Sequence, residues 1–148
     1  MPRKATAKEA AAAKAWRHIF DYIVATAAER VAVLDRLGLT PAESRSLTSL
    51  DPAAGRSMRA LADEWKCDPS NATWLVDRLE RQGLARRVEQ DGDRRIKSVV
   101  LTARGKRVRT ELLESQYTPP RDLLELPQRD LEALSAATSK LPSRRASG

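Results

Sequence analysis

The run Lys66-Cys67-Asp68-Pro69-Ser70-Asn71-Ala72-Thr73-Trp74-Leu75-Val76-Asp77-Arg78-Leu79-Glu80-Arg81-Gln82-Gly83 decides how this chain is read. Asp68 before Pro69 marks a helix start, the acid as cap and the proline at the first position, where its missing N–H costs nothing. Ala72, Leu75, Val76 and Leu79 recur at three- and four-residue steps and give that helix one apolar stripe. Gly83 ends it. Burying the stripe leaves Ser70, Asn71, Thr73, Trp74, Asp77 and Arg78 on or beside the free face. Just upstream, Ser57 caps a shorter helix that buries Met58, Leu61, Ala62 and Trp65 and stops by Lys66-Cys67. Two helices joined by a turn of about three residues make a helix–turn–helix. Hydrogen-bonding side chains near the start of the second helix are what reading a DNA groove requires.

Downstream the apolar period changes from helix to strand. Leu84 to Gln90 leads into Asp91-Gly92, a tight-turn dipeptide, and Arg95 to Leu101 returns with Ile96, Val99, Val100 and Leu101 favouring strand. The hairpin places Asp93, Arg94 and Arg95 at or near its tip, as a wing. Thr102 caps a further helix from about Ala103 to Tyr117, with Gly105 in its first turn, where glycine costs a helix less. Thr118-Pro119-Pro120 breaks the run, and Pro127 opens a last helix to about Leu141, striped by Leu131, Leu134 and Leu141. Residues 142–148 read as a solvated, disordered tail.

Upstream, Thr40-Pro41-Ala42-Glu43 has the spacing of a capping box and starts a short helix ending near Leu50. Asp51 to Gly55 reads as a loop. The first element is predicted as one helix from about Thr6 to Leu37, closed by Gly38 in the left-handed conformation. Trp16, Ile19, Phe20, Ile23, Val24, Ala27, Val31 and Leu34 share one stripe along it. A stripe that long needs a partner surface, from its own chain or from a second copy.

Composition agrees with a mainly α protein carrying a small β-hairpin. The 148 residues are 41% hydrophobic but only 4% aromatic, so the core is built of Leu, Val and Ala. The formal net charge of +7 is unevenly spread. Residues 66–109 hold twelve Lys/Arg against six Asp/Glu, whereas residues 110–141 hold three against six. A basic reading surface beside an acidic helical part has this distribution. Cys67 is the one cysteine and His18 the one histidine, which excludes an intramolecular disulfide, a zinc finger and a histidine triad. The first twenty residues lack the apolar run of a signal peptide, and no stretch is long and apolar enough to span a membrane. A cytoplasmic protein without membrane contact is expected. No phosphate loop, nucleophile elbow or metal-ligand spacing is present, so neither catalysis, nor a metal, nor a cofactor is expected.

The stretch Asp68 to Leu84, the wing Asp93-Arg94-Arg95 and the following Leu101-Thr102-Ala103-Arg104-Gly105 together resemble the MarR family of winged helix–turn–helix regulators, in residues over roughly Leu39 to Arg107 and in pattern beyond. The resemblance implies a homodimer: residues 1–37 and 103–141 as N- and C-terminal dimerisation helices, residues 38–102 as the DNA-binding domain. It implies a near-palindromic operator in double-stranded DNA, repression, and relief by a small ligand or oxidant. It places Arg95, steadied by Asp93, in the minor groove beside Arg94; the other reading is a solvated hairpin tip with Asp93 and Arg95 as a surface ion pair. Ser70, Asn71, Thr73, Trp74 and Arg78 are candidates for the major groove, the other reading being ordinary helix-surface polarity or phosphate contact without base readout. Arg86, Arg87 and Lys97 either face phosphates or are solvated. Trp74 lies against a thymine methyl or sugar, or packs beneath the wing. Trp16, His18 and Phe20 either pack as core or line an effector pocket, and Cys67 reads as a small buried residue at the turn in preference to a redox sensor. Two other functions stay open on the residues alone: a non-specific architectural DNA-binding protein, and a winged helix used as a protein-interaction module.

Overall fold

The computed structural model describes residues 5–90 and 93–142, with the side chains of residues 90 and 93–96 outside that description. The chain divides into two compact units, Met1–Tyr117 and Thr118–Gly148.

In the first unit, α1 (Ala7–Ala25) begins with a full capping box between Thr6 and Glu9. The single helix expected over 6–37 is two: α2 spans Ala27–Leu37. The break has a local cause. The Thr26 hydroxyl donates back to the Tyr22 carbonyl at 2.8 Å, and Arg30 donates to that hydroxyl at 2.8 Å and to the Ile23 carbonyl. Side-chain donors that occupy helix carbonyls bend or interrupt the ladder. Gly38 closes α2 at φ 67°. The capping box Thr40/Glu43 then starts α3 (Pro41–Ser49) as its spacing predicts.

The loop after α3 ends in a strand too short for sequence patterns to show. Strand β1 (Arg56–Ser57) pairs with Val99 and Ser98. With β2 (Ala85–Gln90) and β3 (Asp93–Leu101) it forms an antiparallel sheet in the order β1-β3-β2. Between the strands lie α4 (Met58–Trp65) and α5 (Pro69–Arg81). Ser57 caps α4 by accepting the Ala60 N–H, as expected. Asp68 has the backbone of a cap, but its side chain accepts no capping hydrogen bond, so Pro69 and the backbone start α5 without it. The turn between the two helices passes through Lys66 at φ 50°.

The core lies where these elements meet. Leu47 in α3 and Leu50 just after it, Leu61 in α4, Val76 and Leu79 in α5, Val99 in β3 and Leu112 in α6 (Ala103–Tyr117) are buried in one cluster. Each buried leucine of this kind contributes on the order of 1.5–3 kcal/mol. Helix α5 is thereby pinned by its predicted stripe, Ala72, Leu75, Val76 and Leu79, all buried.

The second unit holds α7 (Arg121–Leu124), a turn of helix not expected from sequence, and α8 (Gln128–Thr138), which stops short of the predicted Leu141. Among the described residues no helix is long and apolar enough to cross a membrane.

Candidate nucleic-acid interface

With its stripe buried, α5 presents Ser70, Asn71, Thr73 and Trp74 to solvent. The four occupy its first turns, immediately after the α4–α5 turn. The Thr73 hydroxyl donates to the Pro69 carbonyl at 2.9 Å, which orients it along the helix. Trp74 is 49% exposed, so its indole lies on the free face of α5.

Arg78 is placed differently from a free reading side chain. Its Nε donates to Glu43 Oε1 at 2.6 Å, and its guanidinium stands 5.9 Å from the Trp74 ring centroid. Glu43 is completely buried. Burial pushes its carboxyl up, but the Thr40 N–H, the Arg78 guanidinium and the Thr40 hydroxyl outweigh that, and its pKa lies below the usual glutamate value. The pair is therefore charged around neutral pH. In the sequence Glu43 stands three residues after Thr40, as the acid of a capping box. Its second partner is thirty-five positions away, and nothing local announced it.

Arg87 is likewise engaged. It lies on the sheet face toward α5, where it pairs with Asp77 at 2.8 Å and with Glu80. Its neighbour Arg86 faces the other way, lining a cleft of about 230 Å³ with Val88, Val100, Lys106 and the Asp51 loop. Lys97 is exposed, opposite Glu89 across the ladder. Asp93, Arg94 and Arg95 begin β3, which carries their backbone to the open end of the hairpin; their side chains, like the turn Asp91-Gly92, lie outside the described residues.

Trp16, His18 and Phe20 are all exposed on α1. A separate cleft of about 400 Å³ opens between α2, α3 and α6, with Arg30, Leu34, Arg45 and Leu112 in its walls. None of the three α1 residues reaches it. Cys67 is half-buried at the α4–α5 turn.

Two packed helices with a tight turn, the second exposing a polar face, and a sheet extending as a hairpin beside it define a winged helix–turn–helix. Residues 37–96 match the MarR family. The chain is 31% identical over 77 residues to the HTH-type transcriptional repressor MdtR of Bacillus subtilis (strain 168), a match spanning 52% of this chain and 50% of that relative. The fold is similar to the YusO protein of Bacillus subtilis, with a TM-score of 0.77 at 23% identity over 92% of this chain and 96% of that one. It is also similar to the MarR repressor of Listeria monocytogenes, at 0.74, 17%, 91% and 94% respectively, and to S. aureus MepR in its DNA complex, at 0.64, 20%, 84% and 99%. Over residues 37–96 the chain is similar to the MarR family, and its fold is the winged helix–turn–helix of these solved structures.

Proposed function

We propose that this chain is a sequence-specific double-stranded DNA-binding regulator that represses transcription as a homodimer on a pseudo-palindromic operator. The observation that carries this reading is the free face of α5: Ser70, Asn71, Thr73 and Trp74 exposed at the start of the second helix of a helix–turn–helix, with a hairpin bearing Asp93-Arg94-Arg95 beside it. Ser and Thr read several bases, Asn pairs with adenine, and an arginine suits a narrow minor groove. That MdtR is a repressor and that MepR was solved on DNA support the same assignment. Residues 1–37 and 103–141 would form the dimer body, with 38–102 as the DNA-binding domain. A small effector would enter the cleft between α2, α3 and α6; Trp16, His18 and Phe20 join a pocket only when a second copy covers α1.

Enrichment of bound duplexes from a random pool tests the proposal. An inverted repeat with half-sites about one helical turn apart is expected. Bound but unselected sequence would identify an architectural DNA-binding protein instead. No retention of duplex at about 50 mM salt, where phosphate contacts are strongest, would identify a protein-interaction module.

A further inference from the structure

Glu43 lies off the exposed face of α5, yet it holds that face from beneath. One carboxylate oxygen, Oε2, accepts the Thr40 N–H at 2.8 Å and so belongs to the start of α3. The other, Oε1, accepts Arg78 Nε at 2.6 Å, with Gln82 Nε2 at 3.5 Å. A single buried side chain thus ties α3 to α5. Arg78 is 38% exposed, and from this anchor its guanidinium reaches the Trp74 ring, one helical turn back. The connection runs from a buried acid, through a half-exposed cation, to an exposed indole. Each link removes freedom from the next. A long arginine side chain held at Nε has its plane set, and an indole with a guanidinium near its ring keeps fewer orientations. Buried ion pairs contribute little net stability, because desolvation offsets their attraction; their better-attested use is to fix register.

We propose that Glu43 is a positioning residue that sets Arg78, that Arg78 sets the Trp74 indole, and that Trp74 is the specificity-determining contact, its apolar ring meeting a thymine methyl. The inference rests on the DNA-reading function proposed above. An indole offers a base edge mainly apolar surface, and the thymine methyl is the apolar feature of the major groove. Arg78 then acts through Trp74 and is not itself a base reader.

Two measurements test this, one without DNA. Protein labelled with 5-fluorotryptophan carries three fluorine probes, since the chain has three tryptophans, and Trp74→Phe assigns the one of interest. Glu43→Gln keeps the size and the Thr40 hydrogen bond, since Gln also completes a capping box. Arg78→Gln approaches the same link from its exposed end. Both are expected to shift or broaden the Trp74 resonance while the Trp16 resonance stays. The second measurement compares the enriched duplex with one in which half-site thymines are replaced by uracil, which removes only the methyl. The parent is expected to lose about fivefold or more in affinity at one position. Glu43→Gln, Arg78→Gln and Trp74→Ala should each abolish most of that preference, and the double variants should add nothing further. A purely structural role would weaken binding to both duplexes alike. An unmoved Trp74 resonance overturns the relay whether or not the protein reads DNA. A moved resonance with the methyl preference intact overturns the specificity role. A parent without sequence preference overturns the DNA-reading function and this inference with it, while a moved resonance would still establish the relay within the fold.

Discussion

At residue 105 the absence of one methyl sets how closely two elements approach. A Cβ built on Gly105 would lie 1.8 Å from the Leu84 carbonyl oxygen. The surrounding junction is tight: the Gly105 N–H donates to the Thr102 hydroxyl, which donates in turn to the Gly83 carbonyl at 2.7 Å. Gly105→Ala has two opposed effects. Alanine is the better helix former by about 1 kcal/mol. Against that, the new methyl meets backbone, which cannot rotate aside, and overpacking of this kind costs about 1–3 kcal/mol or more. The variant is expected to melt below the parent in a thermal scan; an equal or higher Tm would show that α6 slides away from Leu84 without cost. From sequence this glycine reads only as one tolerated in a first turn. Its reason is an oxygen twenty-one residues away, as Arg78 is the unseen partner of Glu43. Features set within a few residues, such as the capping boxes at Thr6 and Thr40 and the stripe of α5, were legible. Those set by tertiary approach were not.

The elements divide the positive charge in a way that counting residues hides. In α5 and β2, Arg78 is paired with Glu43, and Arg87 with Asp77 and Glu80. Arg86 stands on the sheet face turned away from α5. On the proposed reading of DNA, the open end of the β2–β3 hairpin must then supply much of what the free face of α5 lacks, because Ser70, Asn71, Thr73 and Trp74 carry no charge. Charge-assisted hydrogen bonds contribute about 1.5–3 kcal/mol each. Arg95→Ala is accordingly expected to weaken binding to the enriched duplex about tenfold or more, with the oligomeric state unchanged. If Arg95 also neutralises a phosphate, the log–log salt slope becomes shallower by about 0.9. A titration series across salt concentrations checks both, and equal affinity of variant and parent would remove the wing from the mechanism. The hairpin itself was legible from Asp91-Gly92 and the flanking β-branched residues. The third strand was not, since two residues, Arg56 and Ser57, show no alternation; their pairing with β3 follows from Gly55, where an added Cβ would come within 2.9 Å of the Ser98 side chain.

For the whole molecule, the decisive surface is α1. None of its nineteen residues is buried within the chain, although Trp16, Phe20, Ile23 and Val24 lie along it exposed. The Tyr22 hydroxyl on the same helix is buried without a hydrogen-bond partner among the described residues. An apolar face of this length left to water is unusual in a monomer and marks an interaction surface. A second copy of α1 is the partner that the proposed homodimer supplies. Phe20 and Val24 are one turn apart, so Phe20→Asp with Val24→Asp puts two carboxylates on one contact patch, where burial of unpaired charge is prohibitive. The parent is expected to sediment as a dimer at micromolar concentration and the double variant as a monomer with its helical circular dichroism retained. A persistent dimer would move the interface elsewhere, and a monomeric parent would remove it. The consequence for function follows from linkage. Two winged domains on one body make the second half-site contact intramolecular, which raises overall affinity by about 10²–10⁴ over one domain alone. The monomeric variant should therefore bind a duplex carrying both half-sites no more tightly than one carrying a single half-site, whereas the parent should separate the two by that factor.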